Sequence, residues 1–375
     1  MKKLLVKNIG LLATPEGKSA HRGEEQGKIK FLKDAWVLIE GGIIDSVGTG
    51  SVPAVEGAEV VDAGGHLVTP GLVDAHTHLI FGGWRQNELG LKLHGASYLD
   101  IQNAGGGIQS TTNATRQASE QELAAKASKA LDEMMGFGTT TVEAKSGYGL
   151  ATEHELKALE VIKDLNDHHR MDLVATFMGA HLVPAEYKSN REEYVRLVCE
   201  EMMPKVKEQG IAKFCDVFCE ADTFTVEESR QVLEAGLKYG LRPKIHADEI
   251  EAIGGSQLAG EIGAISAEHL IVCPPEASIK WGILVLAQIM AMLLPIPRKL
   301  LNRQLLKAVL KVPQLAFVMA GNLFKLKGAN KKFIHTEHGE GEREREREGR
   351  VEMGDGRWEK EDGRSIMQRK DGADH

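Results

Sequence analysis

The sequence predicts an α/β protein: a (β/α)8 barrel of the TIM type, expected to be incomplete, that follows a small N-terminal β-domain. Two observations predict this fold. From residue 67 onward, short apolar strand patterns alternate with helical patterns. Several successive strands also end in a polar side chain, and in such a barrel the carboxyl ends of the strands converge on one mouth. The length of 375 residues is sufficient for one barrel with additions.

The composition indicates an ordinary globular protein, with 42% hydrophobic and 27% charged residues. A net charge of −8 argues against binding of a nucleic-acid backbone, and an aromatic content of 5% argues against a stacking platform for single strands. The four cysteines are too few for a disulfide framework and indicate a reducing compartment. Residues 1–7 lack the long apolar core of a signal peptide. We therefore expect a cytoplasmic enzyme with no nucleic-acid or membrane partner.

Residues 1–66 have the pattern of short strands and turns. Residues 36–40 and 43–48 are apolar strand patterns on either side of Gly41-Gly42, which predicts a hairpin. Residues 60–65 predict a further strand and turn. A few strands of this kind form a small β-domain that needs a partner surface to be stable.

Residues 67–295 are predicted to form the barrel. The predicted strands are 67–73, 138–144, 173–178, 214–218, 241–246 and 264–269, and the predicted helices are 120–135, 152–167, 191–209 and 225–239. Thr152 with Glu155 three residues later predicts a capping box at the start of the second helix. The long insertion at 79–120 is a candidate cover for a substrate.

The strand that ends at His76 and His78 carries the strongest site signal. Side chains at i and i+2 of a strand point to the same face, so these two imidazoles can bind one metal ion together. A lone His-x-His pair is weak as a signal, because two histidines can be placed there by chance. His181, His246 and His269 also end predicted strands, and a set of four such strand ends favours a functional site over incidental core histidines.

At this point the sequence resembles a known family. The run 71–78, Gly-Leu-Val-Asp-Ala-His-Thr-His, resembles the metal motif of the amidohydrolase superfamily. Four further segments resemble the imidazolonepropionases, a family of ring-opening hydrolases of histidine degradation. They are residues 85–89, 95–98 together with 104–108, 143–150, and 246–249. The resemblance covers roughly residues 1–271 and implies a barrel of the amidohydrolase kind.

The resemblance implies eight site residues in three roles. They are the metal ligands His76, His78 and His246, the substrate contacts Arg85, Tyr148 and His181, and the proton-transfer groups Glu249 and His269. One Zn²⁺ or Fe ion is expected, since neutral imidazole suits both metals. The implied reaction opens the small-molecule substrate 4-imidazolone-5-propanoate to N-formimidoyl-L-glutamate through a metal-activated water. A homodimer is compatible with the resemblance. Lys145 is read either as a structural partner or as a carbamylated metal bridge.

The resemblance stops after about residue 271. It implies a metal-binding Asp at the end of the last barrel strand, but no Asp occurs between Asp248 and Asp355. Residues 296–330 predict an atypical helical segment, and 331–375 a charged, low-complexity, disordered tail. Two alternatives therefore stay open at this stage. In the first, the chain is a catalytically impaired relative that is truncated or frameshifted. In the second, it is an amidohydrolase or deaminase that acts on another cyclic amide or on an aminated ring.

Overall fold

The computed structural model describes residues 2–15, 28–86, 88–96, 100–101, 105–274, 358–361 and 364–367. The chain divides into two compact units, Met1–Met319 and Ala320–His375. The predicted helical segment at 296–330 lies outside the described residues, as do Ser97 and Tyr98 of the family-like segments. Within the described ranges, no helix has both the length and the apolar content needed to cross a bilayer.

A five-stranded sheet occupies the N-terminal part of the first unit. Its strands are β1 (Lys3–Pro15), β2 (Ile29–Glu40), β3 (Ile43–Thr49), β4 (Glu59–Asp62) and β5 (Leu67–Val68). Strand β1 is central: it pairs with β2 in antiparallel fashion and with β4 and β5 in parallel fashion. The predicted hairpin is confirmed, because Glu40 pairs with Ile43 across Gly41 and Gly42, which both have positive φ.

The first two strands are longer than the short strands that the sequence predicts, with 13 and 12 residues. A shift of register between Val6 and Ile9, where Asn8 has φ 55°, lets β1 bend and continue. Ile9, Leu12 and Val37 are buried in a small apolar cluster of this sheet's own. This cluster gives residues 3–68 a core separate from that of the strands that follow.

Six parallel strands form the second sheet. They are β6 (Leu72–Thr77), β7 (Thr139–Lys145), β8 (Asp172–Ala180), β9 (Phe214–Cys219), β10 (Arg242–Ala247) and β11 (Ser266–His269). Their order in the sheet is their order in the chain, and every neighbouring pair is parallel. A doubly wound sheet would reverse direction at a switch point, whereas consecutive order is the order of an α/β barrel. The predicted alternation of strands and helices is confirmed.

Helices connect the strands and cover one face of this sheet. They are α1 (Glu88–Leu93), α2 (Gly107–Gln117), α3 (Glu120–Gly136), α4 (Thr152–His168), α5 (Arg191–Leu197), α6 (Met203–Gln209), α7 (Val226–Lys238) and α8 (Gly255–Glu261). A π-helical turn, Val198–Met202, joins α5 to α6, so the predicted helix 191–209 is interrupted. Leu131, Leu159 and Val232 are fully buried against the strands. Because apolar side chains fill this outer layer, the opposite face of the strands is left for polar groups.

Capping explains where two of these helices begin. Ser119 with Glu122 and Thr225 with Glu228 form complete capping boxes before α3 and α7. The predicted capping box at the start of α4 is wrong. Thr152 is already helical and its hydroxyl donates to Glu201, so Ala151 precedes the helix without a side-chain cap. Glu155 is engaged elsewhere: its carboxylate accepts hydrogen bonds from the loop before the helix.

The second unit contains one described element pair, an antiparallel ladder of β12 (Trp358–Glu361) and β13 (Arg364–Met367). It lies within the tail that the sequence predicts to be disordered, so the structure differs from the expectation over these eight residues. The sequence between the strands, Asp362-Gly363, is a pair common in two-residue hairpin turns, and the charge pattern of the tail obscured this signal.

Candidate metal centre

Histidines from three strand ends meet inside the parallel sheet. His76 lies on β6, His246 on β10 and His269 at the end of β11, and all three side chains are buried. They offer ligand atoms that all lie within 4.8 Å of one another, the arrangement needed to hold a metal ion. His78, directly after β6, joins the group through its Nε2 atom, which is 3.2 Å from Nε2 of His246. The convergence predicted from the strand ends is present.

His181 and Tyr148 flank this cluster. His181 follows β8 directly, and its ring stacks on His78 at a centroid distance of 4.8 Å and an interplanar angle of 19°. The Tyr148 ring, in the loop after β7, lies 5.1 Å from the His181 ring and 5.7 Å from that of His78. The His181 Nδ1–H donates to the Gly147 carbonyl at 2.9 Å, which leaves the Nε2 atom of its neutral ring as an acceptor.

Glu249 and Arg85 are placed differently. Glu249 lies two residues after β10, and its Oε2 atom is 3.5 Å from Nε2 of His269. Arg85 is half-buried in the loop after β6. In the described part of the chain, no hydrogen bond or ion pair joins Arg85 to the other predicted site residues. Its charge nevertheless contributes to the lowered pKa of His181.

Two buried carboxylates set the tautomers of the central imidazoles. Asp216 on β9 lies 3.1 Å from Nδ1 of His246, and Glu268 on β11 lies 3.1 Å from Nδ1 of His76. An ionised carboxylate only accepts hydrogen bonds, so in both rings the proton is on Nδ1. The lone pair is then on Nε2. Carboxylate-held imidazoles with this orientation are the usual form of histidine ligands to metals.

The two carboxylates belong to a buried network of opposite charges. Lys145 lies 2.6 Å from Glu143 and 2.8 Å from Asp216. Lys244 lies 3.1 Å from Glu143 and 2.9 Å from Glu268. The five side chains come from β7, β9, β10 and β11 and are almost entirely buried. The network therefore ties the strands together directly behind the histidines.

Pairing keeps these buried groups ionised. Burial alone would lower the pKa of Lys145, but Asp216 and Glu143 raise that pKa above its ordinary value. Burial would raise the pKa values of Asp216 and Glu268. The charge of Lys145 nevertheless lowers the pKa of Asp216. The hydrogen bond from His76 and the charge of Lys244 lower the pKa of Glu268. A carbamate forms only on a neutral amine, so the charged Lys145 fits the structural partner rather than the carbamylated bridge.

Burial has the opposite effect on the histidines. It lowers the pKa values of His78 and His246 well below the ordinary range, and the neighbouring imidazoles add to the effect. Although His78 is only half-buried as a whole, its Nδ1 atom is inaccessible. Burial also lowers the pKa values of His181 and His269 to about 4. At neutral pH all four rings are therefore neutral, the form in which imidazole binds metal.

A divalent metal ion fits this donor set. Bonds of about 2.0–2.1 Å place two nitrogen ligands of a tetrahedral zinc site roughly 3.3 Å apart, close to the 3.2 Å between His78 and His246. The buried Nδ1 atom of His78 has no hydrogen-bond partner among the described residues, so its tautomer is not fixed and Nε2 can offer a lone pair.

The proton-transfer candidate has a raised pKa. Burial raises the pKa of Glu249 above the ordinary carboxyl range, and the Glu220 carboxylate adds to the rise. A carboxyl group whose pKa is raised in this way is better suited to donate a proton than an ordinary carboxyl group.

Sequence reasoning missed the residues behind the cluster. Glu143, Asp216 and Lys244 lie on apolar strands, and Glu220 and Glu155 are buried beside the site loops. The available signal was a charged residue within a run of apolar strand residues, such as Asp216 between Cys215 and Val217. Such a residue is rarely buried without a partner, and its presence predicts a buried pair.

Comparisons with known proteins agree with this geometry. The chain is 50% identical over 300 residues to an imidazolonepropionase from Alkaliphilus metalliredigens, covering 79% of this chain and 70% of that protein. It is 48% identical over 305 residues to an imidazolonepropionase from a Geobacillus species, covering 79% and 71%. The chain thus spans about 70% of the length of these relatives. No protein-family model matches the chain.

Solved structures support the fold alone. A triazine hydrolase from Arthobacter aurescens superposes with a TM-score of 0.53 at 15% identity, over 76% of this chain and 65% of that one. An atrazine chlorohydrolase from Arthrobacter aurescens, solved with zinc and atraton, gives a TM-score of 0.51 at 14% identity, over 75% and 64%. Both likenesses agree with an α/β barrel.

We predict that Lys145→Met lowers the free energy of unfolding by about 3–5 kcal/mol, because it leaves Glu143 and Asp216 buried without a counter-charge. The control is Lys163→Met on α4, an exposed residue paired with Glu160 and Asp167, which should cost less than about 1 kcal/mol. Urea unfolding of both variants measures the difference. Equal costs would mean that the buried network does not stabilise the fold.

We also predict a pH dependence of stability for the metal-free protein. The unfolded histidines titrate near about 6.5, whereas His181 and His269 in the fold titrate at about 4. Between these values the unfolded chain binds more protons, so the free energy of unfolding is highest above pH 6.5 and falls as the pH falls toward 4. Urea titrations across this range measure it.

The matched variant is His181→Asn. Its stability should depend less steeply on pH in the same window, by up to about 1.4 kcal/mol per pH unit for the one proton removed. A slope identical to that of the parent would show that the His181 pKa is not lowered in the folded protein.

Proposed function

The chain belongs to the imidazolonepropionase family, and we propose that it opens the ring of 4-imidazolone-5-propanoate to give N-formimidoyl-L-glutamate. The observation that carries the proposal is the cluster of buried imidazoles at the strand ends, with Glu249 beside it. Relatives at 48–50% identity are imidazolonepropionases. This similarity does not favour the two alternatives, that the chain is an impaired relative or that it acts on another ring. The substrate class is a cyclic amide.

For the metal ligands we propose His76, His78 and His246, with Zn²⁺ or Fe as the ion. The support is the lone pair that the carboxylate contacts leave on Nε2 of His76 and of His246, and the 3.2 Å contact of His246 with His78. His269 is the competing third ligand, because it lies in the same cluster. A bound metal ion of this kind would lower the pKa of a bound water to about 7 and would polarise a carbonyl oxygen.

The substrate would be oriented by three side chains. Arg85 is proposed to form a two-pronged hydrogen bond with the propanoate carboxylate, the geometry that a guanidinium group favours. His181 presents an Nε2 acceptor, because its Nδ1–H is engaged by Gly147, and it can accept a ring N–H. The Tyr148 ring packs beside His181 and can donate its hydroxyl to the bound ring.

Proton transfer would fall to Glu249 and His269. Glu249 takes a proton from the attacking water and delivers it to the ring nitrogen that leaves as the carbon–nitrogen bond breaks. Its raised pKa suits both halves of that task, which is typically worth about 10²–10⁴ in rate. His269 lies 3.5 Å from Glu249 and can share the proton between the two steps.

We also propose the finer architecture. The six parallel strands would belong to a (β/α)8 barrel, predicted within residues 67–295, and the N-terminal sheet would form a separate β-domain. The predicted end of that domain at residue 66 moves to Val68, because β5 (Leu67–Val68) pairs with β1. Consecutive strand order supports the first part, and the separate apolar cluster of the N-terminal sheet supports the second. The four cysteines are free thiols, which agrees with a cytoplasmic location. A homodimer is proposed from the family resemblance alone.

The ligand assignment predicts metal contents. His246→Ala and His78→Ala should lose stoichiometric metal, because each removes a proposed ligand, whereas His269→Ala should keep the metal and lose turnover. Elemental analysis of the purified proteins and the rate of ring opening measure both properties, with the exposed His94→Ala as control. Metal loss in His269→Ala with retention in His78→Ala would exchange the two roles.

The substrate contact predicts a kinetic signature. Arg85→Lys keeps the charge but loses the planar fork, so KM should rise by about tenfold or more while kcat falls less. Initial rates over a range of substrate concentrations measure both constants. An unchanged KM would mean that Arg85 does not bind the carboxylate.

A further inference from the structure

Two buried glutamates outside the predicted site hold the loops that carry it. Glu155, on the first turn of α4, is completely buried, and Glu220, directly after β9, is 1% exposed. Neither carboxylate forms an ion pair with a described residue. Each instead accepts three backbone N–H groups from one loop, and Glu220 also accepts the N–H of the neighbouring Ala221. Such an arrangement satisfies a buried carboxylate without a counter-ion.

Glu155 holds the loop between β7 and α4. Its carboxylate accepts from the N–H groups of Gly147 at 2.9 Å, Gly149 at 2.7 Å and Leu150 at 2.8 Å. Tyr148 lies between these donors, so the hydrogen bonds fix the backbone on both sides of it.

The same loop also fixes His181. The Gly147 carbonyl accepts from Nδ1 of His181, so the hydrogen bonds lead from Glu155 through Gly147 to the imidazole. The approach is close, since a Cβ atom added to Gly147 would lie 3.1 Å from that same Nδ1 atom. A displaced Gly147 would therefore move both proposed contacts to the substrate ring.

Glu220 holds the loop after β10 in the same way. Three consecutive N–H groups, of Glu249, Ile250 and Glu251, donate to its carboxylate at 2.9 Å each. Consecutive N–H groups converge on one anion when the chain departs from regular structure, and Asp248, just before them, has φ 52°. The anion in this backbone nest is the protein's own side chain.

Neither carboxylate hydrogen-bonds a histidine of the cluster, so both would act through the loops. We propose that Glu155 and Glu220 are separate positioning residues. Glu155 holds the backbone of the loop that carries Tyr148 and contacts His181, and Glu220 holds the backbone of the loop that carries the proton-transfer residue Glu249. The proposal rests on the proposed function for its kinetic part. Its structural part, that each carboxylate orders one loop, stands on the hydrogen bonds alone.

The test compares Glu155→Gln and Glu220→Gln in the full-length, metal-loaded protein. Each amide keeps one acceptor oxygen but turns an NH2 group toward backbone donors. The control is Glu122→Gln, which changes a glutamate that accepts a backbone N–H in a helix cap away from these loops. Amide hydrogen exchange, measured by mass spectrometry, reports loop order, and initial rates of ring opening report KM and kcat.

In hydrogen exchange, Glu155→Gln should accelerate exchange in peptides covering 146–151 only. Glu220→Gln should accelerate it in peptides covering 248–252 and at Ala221, whose N–H also donates to the Glu220 carboxylate. In kinetics, Glu155→Gln should raise KM by about tenfold with kcat within about threefold. Glu220→Gln should lower kcat by about 10²-fold with KM within about threefold, because a misplaced proton-transfer group costs rate rather than binding. The control should match the parent in every measurement.

Several results would overturn the proposal. They are faster exchange in both loops in either variant, no change in exchange, or equal effects on KM and kcat in both variants. If a glutamine variant does not fold, Glu155→Asp or Glu220→Asp, which keeps the charge on a shorter side chain, should give the same loop-specific changes. Failure of both substitutions at one position would mean that the glutamate supports the whole fold. If the parent opens no ring, the proposed function fails, and hydrogen exchange still decides the loop assignment.

Discussion

The buried alternation of charges behind the histidines is the interaction on which the rest of the structure depends. Each of these carboxylates or ammonium groups would cost several kcal/mol if it were buried alone. Lys145 joins β7 to β9, and Lys244 joins β10 to β7 and β11. Lys244 also reaches the Ala75 carbonyl of β6 at 3.4 Å. A strand that slipped by one residue would leave an unpaired charge inside the fold, so the pairs fix the register of the strands.

The same network prepares the site for a cation. Its three carboxylates and two ammonium groups carry a formal charge of −1. Two of the carboxylates lie 3.1 Å from imidazole Nδ1 atoms, which leaves the lone pair of each ring on Nε2. Negative charge behind the rings strengthens them as donors, and burial keeps the His246 ring unprotonated. Affinity for a metal thus follows from how the strands are held.

The sequence predicted what is local and missed what is long-range. The strand ends at His76, His181, His246 and His269 could be found because short apolar runs between turn residues locate strands, and parallel strands share one carboxyl edge. The ion pairs of Lys145 could not be found, since its partner Asp216 lies 71 residues away and nothing local identifies it. Glu155 was misread for a related reason: a capping box and a loop acceptor require the same residue type at the same place, and only the fold of residues 147–150 separates them.

The loops after the parallel strands also contain buried carboxylates that must be satisfied. Leu150, Asp248 and His269 adopt positive φ, a strained conformation for residues with a side chain. Such strain persists only where the surroundings over-determine it, and backbone hydrogen bonds do so here: Leu150 donates to Glu155, and the Asp248 carbonyl accepts from Val272. In the strands, buried carboxylates are balanced by ammonium groups, whereas in the loops they are balanced by backbone N–H groups. Both arrangements are made by the protein's own residues, so the directions of the donor atoms are set by the fold.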